Sequence, residues 1–288
     1  MDYLVSLLLG FLQGILGALP VSSSGHMAYA EQLFGTRSDS VLLYAFGHLG
    51  AMAAVASILK KDMRMLIYET LRLFGTGIRK TGYAVSGRDE PAFTKGGGNY
   101  RKLASSCNIC FWVSLVLMLI LRIPAGNMFL SVFSVAIAFL ISGVVLLVAS
   151  RIPGGTAQMR DLPAKAAVFM GIGAGLGILP GISGIALMLT VCLACGAGKK
   201  AAIRVSYLFS VFPAAAFAVV TLGFAAAGGR MDINLTIQMI IALIGAYISG
   251  RIFMRSLMLF TIKSETVLFA VYNFVFAVIG LILHFMSA

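Results

Sequence analysis

The stretch Leu19-Pro20-Val21-Ser22-Ser23-Ser24-Gly25-His26 interrupts an apolar run and gathers three hydroxyls and an imidazole behind a proline. Proline ends the helix before it and restricts the residue that precedes it, so the chain turns here. Apolar sequence flanks the turn on both sides, which predicts that it sits at membrane depth. Backbone without helical hydrogen bonds survives there only when it is buried in protein or lines a water-filled cavity. The turn is therefore a candidate site on its composition alone.

The whole chain supports a membrane setting. Of its 288 residues, 60% are hydrophobic and only 11% are charged. A soluble domain cannot hide that much apolar surface, so the expected class is an all-α integral membrane protein, a single membrane domain over 1–288. Asp2 is the only charge ahead of the first apolar stretch, and the basic start of a cleavable signal peptide is missing. The net charge of +12 reads as loop lysines and arginines held in the cytoplasm and facing anionic membrane lipids. It does not call for nucleic acid.

Working outward from the turn, residues 4–19 are too short for a span, which needs about 20 residues, and residues 26–34 are shorter still. Together they predict a re-entrant helical hairpin over 4–34. A polar loop (Arg37, Ser38, Asp39, Ser40) leads into a span at 41–59. Residues 60–106 form a basic loop; ten of the 22 basic residues lie between Lys60 and Lys102. Gly96-Gly97-Gly98 marks its flexible tip, and Leu66, Ile67, Leu71, Leu73 and Phe74 suggest a short amphipathic helix on the membrane surface. The positive-inside rule puts this loop in the cytoplasm. Spans at 107–121 and 128–149 follow, joined by a tight loop containing Pro124 and Gly126. Arg151, Arg160 and Lys165 return the chain to the cytoplasm. A second re-entrant hairpin is expected over 166–197, broken at Pro180-Gly181. Spans at 203–227, 235–257 and 266–286 complete the second half, 166–288. The count is six transmembrane helices plus two re-entrant hairpins.

A shift of 160 residues lays Gly17-Ala18-Leu19-Pro20-Val21-Ser22-Ser23 on Gly177-Ile178-Leu179-Pro180-Gly181-Ile182-Ser183, with identities at Gly17/Gly177, Leu19/Leu179, Pro20/Pro180 and Ser23/Ser183. The two hairpins enter from opposite sides by the loop charges. An inverted-topology repeat of this kind places a site near the midplane, where the broken hairpins meet. Helix ends and free backbone N–H groups then converge, which suits an anion, phosphate above all. Ser22, Ser23, Ser24 and Ser183 add hydroxyls, and His26 adds a proton carrier or nucleophile. His48 falls inside a span beside Gly47 and Gly50 and faces the bundle interior.

The cysteines form two C-x-x-C pairs, Cys107/Cys110 and Cys192/Cys195. That spacing can hold zinc, but apolar flanks favour small residues on a helix face.

The pattern G-x-x-Q-G-x-x-x-x-L-P-V-S-S-S-G-H, Gly10 to His26, and the later L-P-G-x-S, Leu179 to Ser183, resemble the two signatures of the undecaprenyl pyrophosphate phosphatase family, the bacitracin-resistance type. Phe46-Gly47-His48-Leu49-Gly50 and Ser206 to Pro213 fall where that family has similar runs. The resemblance covers nearly the whole chain and implies the same six spans and two hairpins. It implies hydrolysis of undecaprenyl pyrophosphate to the monophosphate carrier lipid of cell-wall synthesis, at the outer side of the bacterial plasma membrane. A divalent cation, Mg or Ca, is implied as cofactor, and a polyprenyl phosphate or pyrophosphate lipid as partner; a homodimer is allowed. Residue by residue, Gln13 matches the first position of an acidic pair. Ser22, Ser23 and His26 match the serine–histidine turn, with Ser23 or His26 as nucleophile. Gln13, Ser22, Ser24, Gly181 and Ser183 are left to hold phosphate.

The chain departs from the family pattern where charge is concentrated. The second glutamate falls on Gly17, the signature arginine on Gly184, the following serine on Ile185, and a tyrosine–arginine pair on Tyr272-Asn273. Glu31, five residues beyond His26, and Asp39, in the next loop, are the candidate substitutes for the missing carboxylate. Three functions stay open: an active pyrophosphatase, a silent relative that binds or translocates polyprenyl phosphate between leaflets, and a scaffold subunit.

Overall fold

The computed structural model describes residues 3–17, 19–34, 40–86, 99–129, 131–158 and 161–287. Eleven helices follow one another among them: α1 (Tyr3–Leu16), α2 (Ser23–Phe34), α3 (Ser40–Ile58), α4 (Lys60–Ser86), α5 (Asn99–Phe129), α6 (Val132–Arg151), α7 (Ala164–Leu176), α8 (Gly184–Ala194), α9 (Lys199–Ala227), α10 (Ile233–Lys263) and α11 (Thr266–Ser287). Six of them, α3, α5, α6, α9, α10 and α11, are long and apolar enough to cross a membrane. The sequence reading expects the same six.

Their outer faces explain why water is the wrong solvent. Val116, Ile120 and Ile123 on α5, Ile141 and Val144 on α6, and Val275, Val278 and Ile282 on α11 are all exposed. A belt of that width marks a surface meant for hydrocarbon. Because both sides of these helices are apolar, burial of greasy area does little to bring them together. Close van der Waals packing of small residues does it instead. Gly10 and Gly14 of α1 lie so near α10 that a Cβ on Gly10 would fall 2.3 Å from the Ala242 carbonyl oxygen, and one on Gly14 would fall 2.3 Å from that of Ala246. Gly250 likewise admits Ala54 of α3.

α1 and α2 are 14 and 12 residues long, and α7 and α8 are 13 and 11. At 1.5 Å per residue, none of the four reaches across about 30 Å of hydrocarbon. The helix breaks fall where the two prolines stand, at Pro20 and Pro180. The pairing of helices repeats between the two halves of the chain. α1 packs on α10 as α7 packs on α5, and α3 packs on α10 as α9 packs on α5. α3 meets α9 and α6 meets α11 across the division. Exchanging α1, α2, α3, α5 and α6 for α7, α8, α9, α10 and α11 thus maps these pairings onto one another, as the repeat of the two proline turns leads one to expect.

Local structure differs from expectation at three places. Pro124 lies inside α5, which runs on to Phe129, so the tight loop expected at Pro124 and Gly126 is helical. The expected amphipathic helix over Leu66 to Phe74 extends to all 27 residues of α4, with Met63 and Leu66 buried and Met65, Ile67, Tyr68, Leu71 and Phe74 exposed. Asp62 at its start accepts hydrogen bonds from Arg204 of α9 and from Tyr100 of α5, the latter at 2.8 Å. A parallel bridge between Ala157 and Ala197 ties the loop after α6 to the loop before α9. Ala18, Arg37, Ser38, Asp39, Arg88, Lys95, the Gly96-Gly97-Gly98 tip and Arg160 lie outside the described residues.

Gly14→Val should prise α1 from α10 and lower the thermal midpoint of the detergent-solubilised protein by several degrees, as overpacking costs about 1–3 kcal/mol. Gly223→Val on α9, where a Cβ meets nothing within 4 Å, is the matched control and should leave the midpoint in place. Equal shifts in the two variants would refute the close-packing account.

Candidate functional site: a hydroxyl-lined cleft between two broken helix pairs

The two proline turns touch. The Gly181 N–H of the second turn donates to Ser22 Oγ of the first at 3.0 Å. Ser22 Oγ also accepts from the Gly25 N–H at 3.2 Å and lies 3.1 Å from Ser24 Oγ. With both lone pairs engaged by N–H groups, the Ser22 hydroxyl proton goes to Ser24. From the other side Ser142 of α6 clamps the second turn, donating to the Gly181 carbonyl at 2.8 Å and accepting from the Ser183 N–H at 2.9 Å. Gly181 itself has φ +94°, and a Cβ there would fall 2.5 Å from the Val135 carbonyl oxygen. Only glycine fits this corner.

Between the turns lies a cleft of about 580 Å³, its open mouth included. Ser22, Ser23, Ser24, Ser183, Ser210, Tyr44 and His48 supply its polar lining; Met118, Met188 and Phe217 supply apolar wall. Helix α2 begins at Ser23 and α8 at Gly184, so both present N-termini to it. Ser183 caps α8, accepting from the Ala186 N–H at 3.2 Å. The N–H groups of Ser23, Ser24, Gly184 and Ile185 have no hydrogen-bond partner among the described residues, and all four residues line the cleft. Two converging helix N-termini with free donors suit an anion. Pro213 of α9, also in the wall, removes one further backbone hydrogen bond from that helix at this depth.

Behind Ser23 lies a buried amide. Gln13 Nε2 donates to Ser23 Oγ at 3.0 Å and to His48 Nδ1 at 3.2 Å, while Gln13 Oε1 is buried with no partner among the described residues. An amide nitrogen that donates both ways orients Ser23 and His48 but cannot carry a proton from one to the other. The Tyr44 hydroxyl hydrogen-bonds the Ser24 and Ser23 side chains, and its ring stacks on His48 at 5.5 Å.

The sequence-predicted residues therefore divide. Ser22, Ser23, Ser24 and Ser183 line the cleft; Gln13 supports it from beneath; Gly181 lends its N–H to Ser22 rather than to the space between the turns. His26 is not in the lining. Its Nδ1 donates to the Ser22 carbonyl at 2.6 Å, its Nε2 accepts from the Tyr272 hydroxyl at 2.8 Å, and Phe139, Tyr272 and Phe276 surround its ring. With both nitrogens engaged, His26 braces the back of the turn. Gly17 and Gly184, where charge was expected by resemblance, do line the cleft. Tyr44 and Ser142 carry no sequence signal, since each reaches the site from a distant helix through tertiary packing; Ser210 lies in the Ser206–Pro213 run, which the resemblance marks without giving it a role. Glu31 is buried on α2 and does not line the cleft.

The lining contains no carboxylate; its oxygen donors are neutral hydroxyls, with the Gln13 amide behind them. Hard divalent cations prefer carboxylate oxygen. Among the described residues no group of three or more His, Cys, Asp or Glu side chains could hold a metal. The donor set thus does not fit a resident Mg or Ca ion. The four cysteines are free thiols; Cys107, Cys110 and Cys192 sit in the apolar core, with Cys192 Sγ 3.5 Å from Met170 Sδ.

Fold and cleft define a class: a polytopic helical membrane protein with an internal polar site held between two broken helix pairs. The chain belongs to the family of the bacitracin resistance protein BacA, whose family model matches residues 6–279. It is 27% identical over 280 residues to the undecaprenyl-diphosphatase of Alkaliphilus metalliredigens, covering 93% of this chain and 94% of the relative. It is 26% identical to that of Desulforapulum autotrophicum, with 100% of both chains covered, and 26% identical to that of Methanobrevibacter smithii, with 97% of this chain and 96% of the relative covered.

Ser22→Ala should strand the buried N–H groups of Gly25 and Gly181 at a cost of roughly 1–3 kcal/mol each. Denaturant or thermal unfolding should show that loss, and Ser210→Ala, at the far wall, should show a much smaller one. A Ser22→Ala protein as stable as the parent would mean that the turns are not joined through this hydroxyl.

Proposed function

We propose that this chain acts on the polyprenyl pyrophosphate carrier lipid, taking its headgroup into the cleft and hydrolysing undecaprenyl pyrophosphate to the monophosphate, the reaction for which its relatives are named. The observation that carries the reading is the convergence of four free N–H groups and five serines on one cleft. Such a set matches phosphate oxygens, and the apolar wall leaves room for an isoprenoid tail to leave into lipid.

In this reading the helix pairs α1/α2 and α7/α8 are re-entrant hairpins within one membrane domain. Each returns to the side it came from, and α3, α5 and α6 make three crossings between them. An odd number of crossings puts the second hairpin in the opposite sense, which gives the inverted repeat and a site near the midplane. Basic residues of α4 and of the start of α9 then face the cytoplasm of a bacterial plasma membrane, and the cleft opens to the outer side.

Ser23 is the nucleophile of this proposal: its Oγ attacks the terminal phosphorus as its proton passes to a phosphate oxygen, the bond to the bridging oxygen breaks so that undecaprenyl phosphate leaves, and water then hydrolyses the phosphoserine to release inorganic phosphate. It lines the cleft, and Gln13 and Tyr44 fix its hydroxyl. Phosphoryl transfer is then largely positioning and charge stabilisation. Here the stabilisation comes from backbone N–H groups and hydroxyls, with no arginine at Gly184 and no carboxylate at Gly17. Loss of an arginine on transition-state charge costs about 10³-fold or more, so turnover is slow.

Phosphate release from undecaprenyl pyrophosphate by the purified protein should be slow, abolished by Ser23→Ala, and raised about tenfold or more by Gly17→Glu with Gly184→Arg. Both positions are tight: a Cβ at Gly184 lies 3.2 Å from the Gly173 carbonyl oxygen and one at Gly17 lies 3.0 Å from the Gln13 carbonyl oxygen, so the neighbours must give by a few tenths of an ångström to admit either side chain. His26→Gln should lower stability and reduce turnover far less than Ser23→Ala. Release that survives Ser23→Ala, or that no substitution at Gly17 and Gly184 alters, contradicts the assignment.

A further inference from the structure

A second cavity lies away from the cleft, among α4, the start of α5, the loop at 155–158 and the first turns of α9. It encloses about 1770 Å³ with its mouth, and it is lined by Lys61, Lys199, Lys200, Arg204, Asp62, Glu69 and Tyr100. Its charges are not mutually cancelled. Asp62 is occupied by Arg204 and Tyr100, and Lys199 donates to the Ser264 carbonyl at the end of α10. Lys61 and Lys200 have no partner among the described residues. The first turn of α9 faces the same space. Its cap, Gly198, provides no side chain, and the N–H groups of Lys199, Lys200 and Ala201 have no acceptor among the described residues. The Ala157–Ala197 bridge fixes this end of the helix, with the Gly198 N–H donating to the Ala157 carbonyl at 3.3 Å.

A separate feature points to a ligand rather than to bare counter-ions. Glu69 is only 6% exposed, and its Oε2 is buried without a hydrogen-bond partner, although Oε1 sits 3.7 Å from Arg72. An unpaired carboxylate oxygen on a cavity-lining residue calls for a donor, which meets it once the carboxylate turns toward the cavity. We propose that this cavity is a second binding site, for a phosphate ester that carries a hydroxyl or ammonium donor beside the phosphate. The phosphate lies on the α9 N-terminus between Lys61 and Lys200, and the donor reaches Glu69 Oε2. The site is distinct from the cleft: Lys200 and Ser210 are ten residues apart on α9, roughly 15 Å at helical rise. Two sources share this chemistry, a phospholipid headgroup and a soluble phosphate ester.

Titration of the full-length protein in uncharged detergent tests the site, with glycerol 3-phosphate and methyl phosphate as probes; only the first carries the donor. Glycerol 3-phosphate should bind saturably and more tightly than methyl phosphate. Lys61→Gln with Lys200→Gln should weaken both by roughly tenfold, without change in thermal midpoint or in phosphate release from undecaprenyl pyrophosphate. Glu69→Gln should narrow the gap between the two probes. Repeating the titration in nanodiscs assigns the source. Loss of glycerol 3-phosphate binding in phosphatidylglycerol discs but not in phosphatidylcholine discs identifies the headgroup, and equal binding in both identifies the soluble ester. No saturable binding, or binding indifferent to the lysine variant, overturns the proposal.

Discussion

One hydroxyl oxygen decides how the two halves of this chain meet. Ser22 Oγ receives the Gly25 N–H of its own turn and the Gly181 N–H of the other. Gly25 and Gly181 are both buried in protein, so each of these two N–H groups needs an acceptor there. The second turn gains its remaining partners from Ser142, and its positive φ is open only to glycine. Once these bonds are made, α2 and α8 must start at the same place and point their N-termini into the same space. The cleft is a consequence of satisfying the backbone in two proline breaks.

The family resemblance and this geometry agree on the scaffold and part company on charge. Gly17 and Gly184 stand in the cleft wall, where arginine or glutamate would meet phosphoryl oxygens. Gly184 also faces Gly177 across the α7–α8 crossing, with a Cβ at Gly177 falling 3.0 Å from the Gly184 Cα. The small residues let the second hairpin close tightly, and the anion is left to neutral donors. Neutral N–H and O–H groups bind phosphate but stabilise growing charge less than a guanidinium does. In the proposed reading, such a cleft keeps binding and slows chemistry.

Much of this was legible in the chain. The six spans follow from hydropathy and length, and the two breaks from Pro20 and Pro180 in apolar surroundings. The serine cluster and the 160-residue repeat point to the two turns between which the cleft lies. What sequence could not supply came from packing. Pro124 reads as a loop, yet α5 continues through it, because tertiary neighbours can re-satisfy the backbone that proline frees. His26, next to the serines in sequence, reads as a proton carrier or nucleophile. One helical turn beyond Ser22 its ring instead faces Tyr272, Phe139 and Phe276. Tyr44 and Ser142 belong to no motif, Ser210 only to the Ser206–Pro213 run, and all three enter the site when α3, α6 and α9 assemble. The cavity at the start of α9 was likewise hidden, since its lysines read only as a topology signal.

The central claim is that the two turns jointly hold a polyprenyl headgroup. A cryo-electron microscopy structure of the full chain with undecaprenyl phosphate tests it most directly. The account predicts phosphate density between the turns, within hydrogen-bonding distance of the Ser23, Ser24, Gly184 and Ile185 N–H groups, with the Ser22–Gly181 contact intact. Phosphate density elsewhere in the bundle, or turns drawn apart with Ser22 and Gly181 no longer paired, would contradict it.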